Sequence, residues 1–328
     1  MEGLIAVTYR CNAKCHMCNT WQFPTKMDEE LTAADLESLP HLSFANITGG
    51  EPFLRSDLEE IVQVVERKAD RVVISTNGFL TERIEELASR HPKLGFRVSL
   101  EGLPAANDEL RGLKDGFDHG LRTILRLRAI GVEDIGFGIT LSDRNAEDAL
   151  ELHELADAMG VEFATAAVHN AYYFHKLDNV IENQEMVAGV LEELSRRLLR
   201  SGHPKSWFRA WFNVGLANYV RGGSRLLPCG MGTDVFFVDP FARVLPCNGM
   251  EGVMGSLKEA SFSEIWNSEQ AEAVRRQVST CQAECWMIGS VSPAMKKHIT
   301  VPASWIMKAK LTGELPPIRG LNANPRSK

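Results

Sequence analysis

Thr8-Tyr9-Arg10-Cys11-Asn12-Ala13-Lys14-Cys15-His16-Met17-Cys18 sets three cysteines at C-x3-C-x2-C, directly after an apolar run at residues 4–9. Three thiolates are one short of a closed tetrahedral or four-iron site, so the spacing describes a metal centre with an open position, where chemistry is done. The apolar run reads as a first strand. Its following loop would then carry the cysteines at the carboxyl end, the side on which β/α barrels keep their reactive groups. Half a zinc site, a disulfide framework or unrelated buried thiols are the plainer readings of three cysteines.

Composition narrows the setting. The 328 residues can bury one large domain and a smaller second one. A net charge of −7 and the lack of any Lys/Arg run leave no electrostatic footprint for nucleic acid. No basic n-region and apolar h-region open the chain, and no window approaches about 18 uninterrupted apolar residues. The expected compartment is the cytoplasm, where the seven cysteines are reduced thiols and their clustering points to metal.

Strand-like runs at 44–48, 72–75, 96–100, 135–140 and 163–168 alternate with helical patterns at 58–68, 81–90, 121–130 and 146–159, and residues 31–39 read as a first helix with Thr32 as N-cap. With the first strand this makes six β/α units, an α/β fold with a parallel sheet. Six units imply a partial (β/α)6 TIM-like barrel, open because eight strands would be needed to close it. The expected organisation is a barrel at 1–180, a helical bridge at 181–225 broken at Gly202-His203-Pro204, a small cysteine-rich α+β domain with a C-terminal helix at 226–312, and a flexible tail at 313–328. Within the third part, residues 235–239 and 243–246 read as a hairpin, 262–268 as a helix and 293–311 as another.

Several loops after strands carry further signals. Gly49-Gly50-Glu51-Pro52 ends the second, where glycines let backbone groups approach a ligand. Ser75-Thr76-Asn77-Gly78 ends the third, with a simple Asn-Gly turn as the alternative reading. The fourth ends in Ser99-Leu100-Glu101-Gly102, whose alternation turns Ser99 and Glu101 to one face, followed by Asn107-Asp108, Arg111-Gly112 and Gly116-Phe117. Thr140 closes the fifth strand, and His169 follows the sixth among Tyr172, Tyr173, Phe174 and His175. His169 is a candidate proton acceptor; packing of the loop is the plainer account of that cluster. In this order the motifs resemble the radical S-adenosylmethionine (SAM) superfamily. That resemblance implies that Cys11, Cys15 and Cys18 hold a [4Fe-4S] cluster whose fourth iron is chelated by SAM. It also implies that Gly49, Gly50, Glu51, Pro52, Ser75, Asn77, Ser99, Glu101 and Thr140 line the SAM pocket. Asn107 stands where the family pattern usually has His, and Asp115 precedes Gly116 where a Gly-Ser or Gly-Thr pattern is more typical.

Four cysteines remain, Cys229, Cys247, Cys281 and Cys285, the full thiolate complement of one [4Fe-4S] cluster or of a structural zinc. Their layout, with Asp239-Pro240 and Val244-x-Pro246-Cys247 between, resembles the twitch domain, the short relative of the SPASM domain; Ala242 replaces the usual turn Gly. The resemblance implies an auxiliary cluster and a cytoplasmic enzyme, an oxidoreductase, that reductively cleaves SAM to a 5′-deoxyadenosyl radical and takes hydrogen from a substrate, with electrons from a flavodoxin- or ferredoxin-type donor. The substrate reading favours a small polar metabolite of sugar, aminocyclitol or nucleotide-sugar type, oxidised with the auxiliary cluster as electron acceptor, over a peptide. A peptide maturase and redox-neutral carbon–carbon bond formation or epimerisation are the alternatives. An electron carrier is disfavoured, because Gly49-Gly50-Glu51-Pro52 would have no purpose there. Trp305, Ile306 and Met307 beside Lys308 and Lys310 suggest a minor reading of peripheral membrane contact.

Overall fold

Short β-branched and aromatic runs build the sheet. In this computed structural model, which describes residues 1–318, 320 and 321, the strands β1 (Glu2–Ala6), β2 (Phe44–Thr48), β3 (Val72–Thr76), β4 (Gly95–Ser99), β5 (Ile135–Leu141) and β6 (Glu162–Ala167) lie side by side in sequence order, all parallel. Ile5, Ile47, Ile74, Phe96 and Phe137, one from each of five strands, are fully buried in the main core. The helices α1 (Leu58–Lys68), α2 (Thr81–Arg90), α4 (Gly116–Ala129) and α5 (Ala149–Ala158) pack against them, and α3 (Pro104–Arg111) packs on α4. In α1 the buried positions Leu58, Ile61, Val62 and Val65 recur at helical spacing and form its inner face. The six-strand partial barrel expected from the sequence is the one observed.

The cysteine-rich part does not build a sheet of its own. Its strand β7 (Val235–Val238) runs parallel to β1, in register from Glu2↔Val235 to Ile5↔Val238, and β8 (Arg243–Leu245) and β9 (Gly255–Ser256) add antiparallel strands beyond it. The result is one nine-stranded sheet, β6-β5-β4-β3-β2-β1-β7-β8-β9. Ala242 occupies the left-handed region at φ 64° and is fully buried, so the turn keeps the geometry a glycine would give. The bridge forms as α6 (Gln184–Arg200) and α7 (Pro204–Val220), with the Asn183 side chain capping α6 and Pro204 opening α7. Trp286 packs into α7 at Gly215, where a Cβ would meet its ring at 2.4 Å.

Three expected elements differ. Residues 31–39 form only a 3-10 turn, Ala34–Leu36. Leu31 N–H is taken by Pro240 O at 2.7 Å, which ties the start of the segment to the loop after β7, and Asp35 accepts both Thr32 N–H and its hydroxyl. The stretch 293–311 divides into α10 (Ile288–Lys297) and α11 (Thr300–Thr312), with Pro302 in the first turn of α11, where its missing N–H costs nothing. The helices α8 (Phe262–Trp266) and α9 (Glu269–Ser279) complete the part, α8 opening on a Ser261/Glu264 capping box. In α11 Trp305 and Ile306 are buried, not turned to a surface, and Trp305 donates to Pro316 O at 2.8 Å. Leu321 N–H bonds Leu226 O, so this portion of the 313–328 segment lies against the protein; residues 319 and 322–328 are outside the described residues. Among the described residues no helix is long and apolar enough to cross a membrane.

Candidate functional site

The loop after β1 is held from four sides. On the β2 side Gly50 N–H donates to Thr8 O at 2.7 Å and Glu51 N–H to Arg10 O at 2.9 Å. At the end of α3, Lys14 N–H donates to Arg111 O at 2.9 Å and His16 N–H to Leu110 O at 2.8 Å, an approach that Gly112 permits at φ 54°. From the loop after β6, Asn19 N–H reaches Phe174 O at 2.8 Å and Asn179 Nδ2 reaches Met17 O at 3.1 Å. Beneath lies a buried ion network that the sequence did not announce. Glu30 accepts two bonds from Arg10, at 3.1 and 2.8 Å, and one from Arg55 Nη1 at 3.2 Å, while Arg55 also donates to Val7 O and Asp57.

Cys11, Cys15 and Cys18 line a cavity of about 180 Å³ at the carboxyl ends of the strands. Gly49, Gly50, Ser75, Asn77, Ser99, Glu101, Thr140 and His169 share its wall. Glu51 and Pro52 do not. The Glu51 carboxylate is fully buried and accepts from Asn77 N–H and the Thr76 hydroxyl, both at 2.8 Å, and from Phe53 N–H at 3.2 Å. It braces the loops after β2 and β3, and burial pushes its pKa up. Pro52 opens the buried 3-10 turn Pro52–Leu54.

Glu101 is the second brace. One carboxylate oxygen accepts from Arg111 Nη1 at 2.8 Å and the other from Thr140 N–H at 2.6 Å. Asn107, at the position where the family pattern has His, accepts Glu101 N–H at 2.9 Å. Asn77 reaches across to Asn12 at 2.7 Å. Arg111 lines the cavity, paired with Glu101 through Nη1, while its Nε is buried and without a hydrogen-bond partner among the described residues, which leaves one donor free for a ligand. Its Arg-Gly signature was legible, but not that the side chain would turn into the site. Burial pushes the Cys11 thiol up to about 12 and raises Cys15 as well, Arg111 opposing. Burial lowers the guanidinium's pKa, but Cys15 and Glu101 outweigh it and hold Arg111 charged. His169 is neutral: burial lowers its pKa, and Nδ1 lies 3.1 Å from Ala167 O, which can only accept. Nε2 is therefore the nitrogen with a lone pair.

The second thiol set lies beyond β8. Cys247 and Cys285 are half-buried, Cys229 and Cys281 exposed. Burial pushes Cys247 up to about 11, and Cys285 and Cys229 add to it; burial raises Cys285 as well, with Arg225 opposing and Cys229 and Cys281 adding. Arg225 anchors the segment by donating to Cys285 O and Ser290. Among the described residues no group of three or more His, Cys, Asp or Glu stands at single-ion spacing.

Two family models match the chain, the Radical SAM superfamily over residues 5–156 and an iron–sulfur cluster-binding domain, SPASM, over residues 229–286. The chain carries a radical SAM domain followed by a SPASM domain. It is similar to the Fe-coproporphyrin III synthase of Methanosarcina barkeri, 32% identical over 160 residues that cover 46% of this chain and 39% of that protein. Similarity to the pre-heme d1 synthase of Dinoroseobacter shibae extends further, 27% over 296 residues, 79% of this chain and 71% of that protein. A solved structure of anSMEcpe with bound AdoMet and the Cp18Cys peptide shares the fold, at TM-score 0.63 and 15% identity over 95% of this chain and 99% of that one. The cofactors of the radical SAM and SPASM domains are SAM and [4Fe-4S] clusters. The residues present suit them: a thiol triad on one wall with an open side, a guanidinium beside it with one buried N–H still free, and a separate set of four thiols.

Proposed function

We propose that this radical SAM enzyme holds a SAM-binding [4Fe-4S] cluster on Cys11, Cys15 and Cys18 and an auxiliary [4Fe-4S] cluster on Cys229, Cys247, Cys281 and Cys285. The observation that carries the reading is the convergence on one cavity of the open thiol triad, the Gly49-Gly50 backbone and Arg111, whose buried Nε is free. When bound, the cluster and SAM supply one-electron cleavage of the SAM C5′–S bond and a carbon radical that takes hydrogen from substrate. Arg111 pairs with the methionine carboxylate of SAM; Ser75, Asn77, Ser99, Glu101 and Thr140 shape the pocket around the rest. His169 Nε2 accepts the proton released as substrate is oxidised. Cys229, Cys247, Cys281 and Cys285 would hold the auxiliary cluster, which would supply an acceptor for the remaining electron, and a flavodoxin- or ferredoxin-type donor would supply the first.

For substrate we infer a small molecule over a peptide. The two relatives named as synthases of coproporphyrin and haem d1 products move the expected class from a sugar or aminocyclitol to a carboxylated tetrapyrrole. Phe23, Met27, Leu177 and Val180 are exposed apolar side chains on the two loops that flank the thiol triad, and they suit a flat ring system. Lys14 and Arg144 stand nearby for acidic substituents. The test is 5′-deoxyadenosine release from SAM under a strong reductant, with coproporphyrin III, its iron complex or a short peptide added. Stimulation by a tetrapyrrole supports the reading, and stimulation by peptide alone overturns the substrate class. No release from fully iron-loaded chain overturns the enzyme.

A further inference from the structure

Tyr173 stands at the junction of the two cysteine sets, and among the described residues nothing uses its hydroxyl. It lies in the 3-10 turn Tyr172–Phe174 after β6 and is 5% exposed. Its ring packs on Tyr9, two residues before Cys11, at 5.4 Å between centroids, and on Phe237 of β7 at 5.0 Å. The backbone fastens the same turn to both sets. Tyr173 N–H donates to Asn248 O at 3.0 Å, next to Cys247, and Phe174 O accepts from Asn19 N–H at 2.8 Å, next to Cys18. Among the described residues the enclosed phenol oxygen has no hydrogen-bond partner. A fold that keeps such a group against its cost holds it for something that arrives later.

The ring contact with Tyr9 and the turn's backbone bond to Asn19 set the phenol beside the loop that carries Cys11 and Cys18. Burial first, then Cys18, Tyr9 and Cys11, push the Tyr173 hydroxyl well above its usual range, so the phenol keeps its proton and remains a donor. We propose that the Tyr173 hydroxyl donates a hydrogen bond to sulfur of the cluster held by Cys11, Cys15 and Cys18 and so sets how readily that cluster takes its electron. The inference rests on the assignment of that cluster made above. A donor at cluster sulfur stabilises the reduced, more negative state and raises the potential. Tyr173 is a positioning and tuning residue; it touches neither SAM nor substrate.

The test is a potentiometric titration, followed by electron paramagnetic resonance, of the anaerobically reconstituted full chain as wild type, as Tyr173→Phe, and with 3-fluorotyrosine in place of Tyr173. The component followed is the one whose spectrum changes when SAM is added. In Tyr173→Phe, at unchanged iron content, the ratio of reduced to oxidised cluster at a fixed potential falls about tenfold, about 59 mV for one electron. Fluorotyrosine, a stronger donor of nearly the same volume, moves the ratio the other way. Equal midpoints in all three chains overturn the proposal, and if Tyr173→Phe loses iron the fluorotyrosine chain decides alone. A wild-type spectrum in which no component responds to SAM sinks the cluster assignment itself, and the proposal with it.

Discussion

Gly50 has room for a hydrogen and nothing larger. A Cβ there would stand 2.3 Å from Arg10 O and 2.8 Å from Tyr9 O, backbone atoms that cannot step aside as a side chain can. Gly50→Ala is therefore expected to push the cysteine loop off the β2 loop. Iron after reconstitution should fall from about eight to about four per chain, the auxiliary set keeping its own cluster; eight irons in the variant would show the contact to be dispensable. Arg111 makes the opposite case, a large side chain kept for its charge. Replacing it by Gln removes the only cation among the cavity-lining residues described, a charge-assisted contact of about 1.5–3 kcal/mol. Arg111→Gln should weaken SAM binding roughly tenfold to a hundredfold, read as a raised KM for SAM in 5′-deoxyadenosine formation at normal iron content. An unchanged KM would remove Arg111 from the SAM contact. Both residues were visible as parts of motifs. The sequence could not show that neighbouring Glu51 would spend its carboxylate on Asn77, Thr76 and Phe53, since a motif names residue types and not the direction a side chain takes.

At the scale of elements, the strands were legible because each is a run of β-branched and aromatic residues between turn signals, and the parallel order followed from the alternation with helices. What escaped was set by contacts distant in sequence. The 31–39 stretch has helical composition, yet Leu31 N–H is bound to Pro240, more than two hundred positions on. Strand register at the amino ends depends likewise on a charge cluster with no motif. Asp134, just before β5, accepts from Arg71 Nε at 2.7 Å and Arg97 Nη2 at 2.7 Å, and its backbone O accepts Phe96 N–H of β4 at 2.7 Å. Burial alone would raise its pKa, but the two guanidinium groups outweigh it and bring the carboxyl down to about 2. Its folded pKa lies below the unfolded value of about 3.9, so its stabilisation is present above about pH 4 and is lost as pH falls through 2. Asp134→Asn should cost about 1 kcal/mol at pH 7, after allowing for solvent screening of a partly exposed group. Denaturant midpoints of the two chains should converge between about pH 4 and 2; a constant gap down to pH 2 would mean the carboxylate's charge contributes nothing.

The whole molecule is one sheet that serves two cysteine sets. The sequence divides cleanly into a β/α alternation and a cysteine-rich remainder, and their separation into a barrel and a smaller second domain is what the sequence suggests. No sequence signal says that β7 would add to β1, because a four-residue apolar strand pairs with any open edge. That pairing makes the C-terminal part a structural neighbour of the barrel independent of its metal. Without β7, the backbone groups of β1 from Glu2 to Ile5 would form an unpaired edge. Replacing Cys229, Cys247, Cys281 and Cys285 together by Ser leaves this register in place, whereas stopping the chain after Arg225 removes it. The first variant should stay monodisperse, lose about four irons, and still release 5′-deoxyadenosine under a strong reductant while forming no oxidised product. The truncated chain should aggregate. Those two results would assign the sheet contact to folding and the second thiol set to electron acceptance. Oxidised product from the four-serine chain would leave the auxiliary thiols a structural role only, and the cluster held by Cys11, Cys15 and Cys18 would then have to take back the substrate electron, with SAM as the net oxidant.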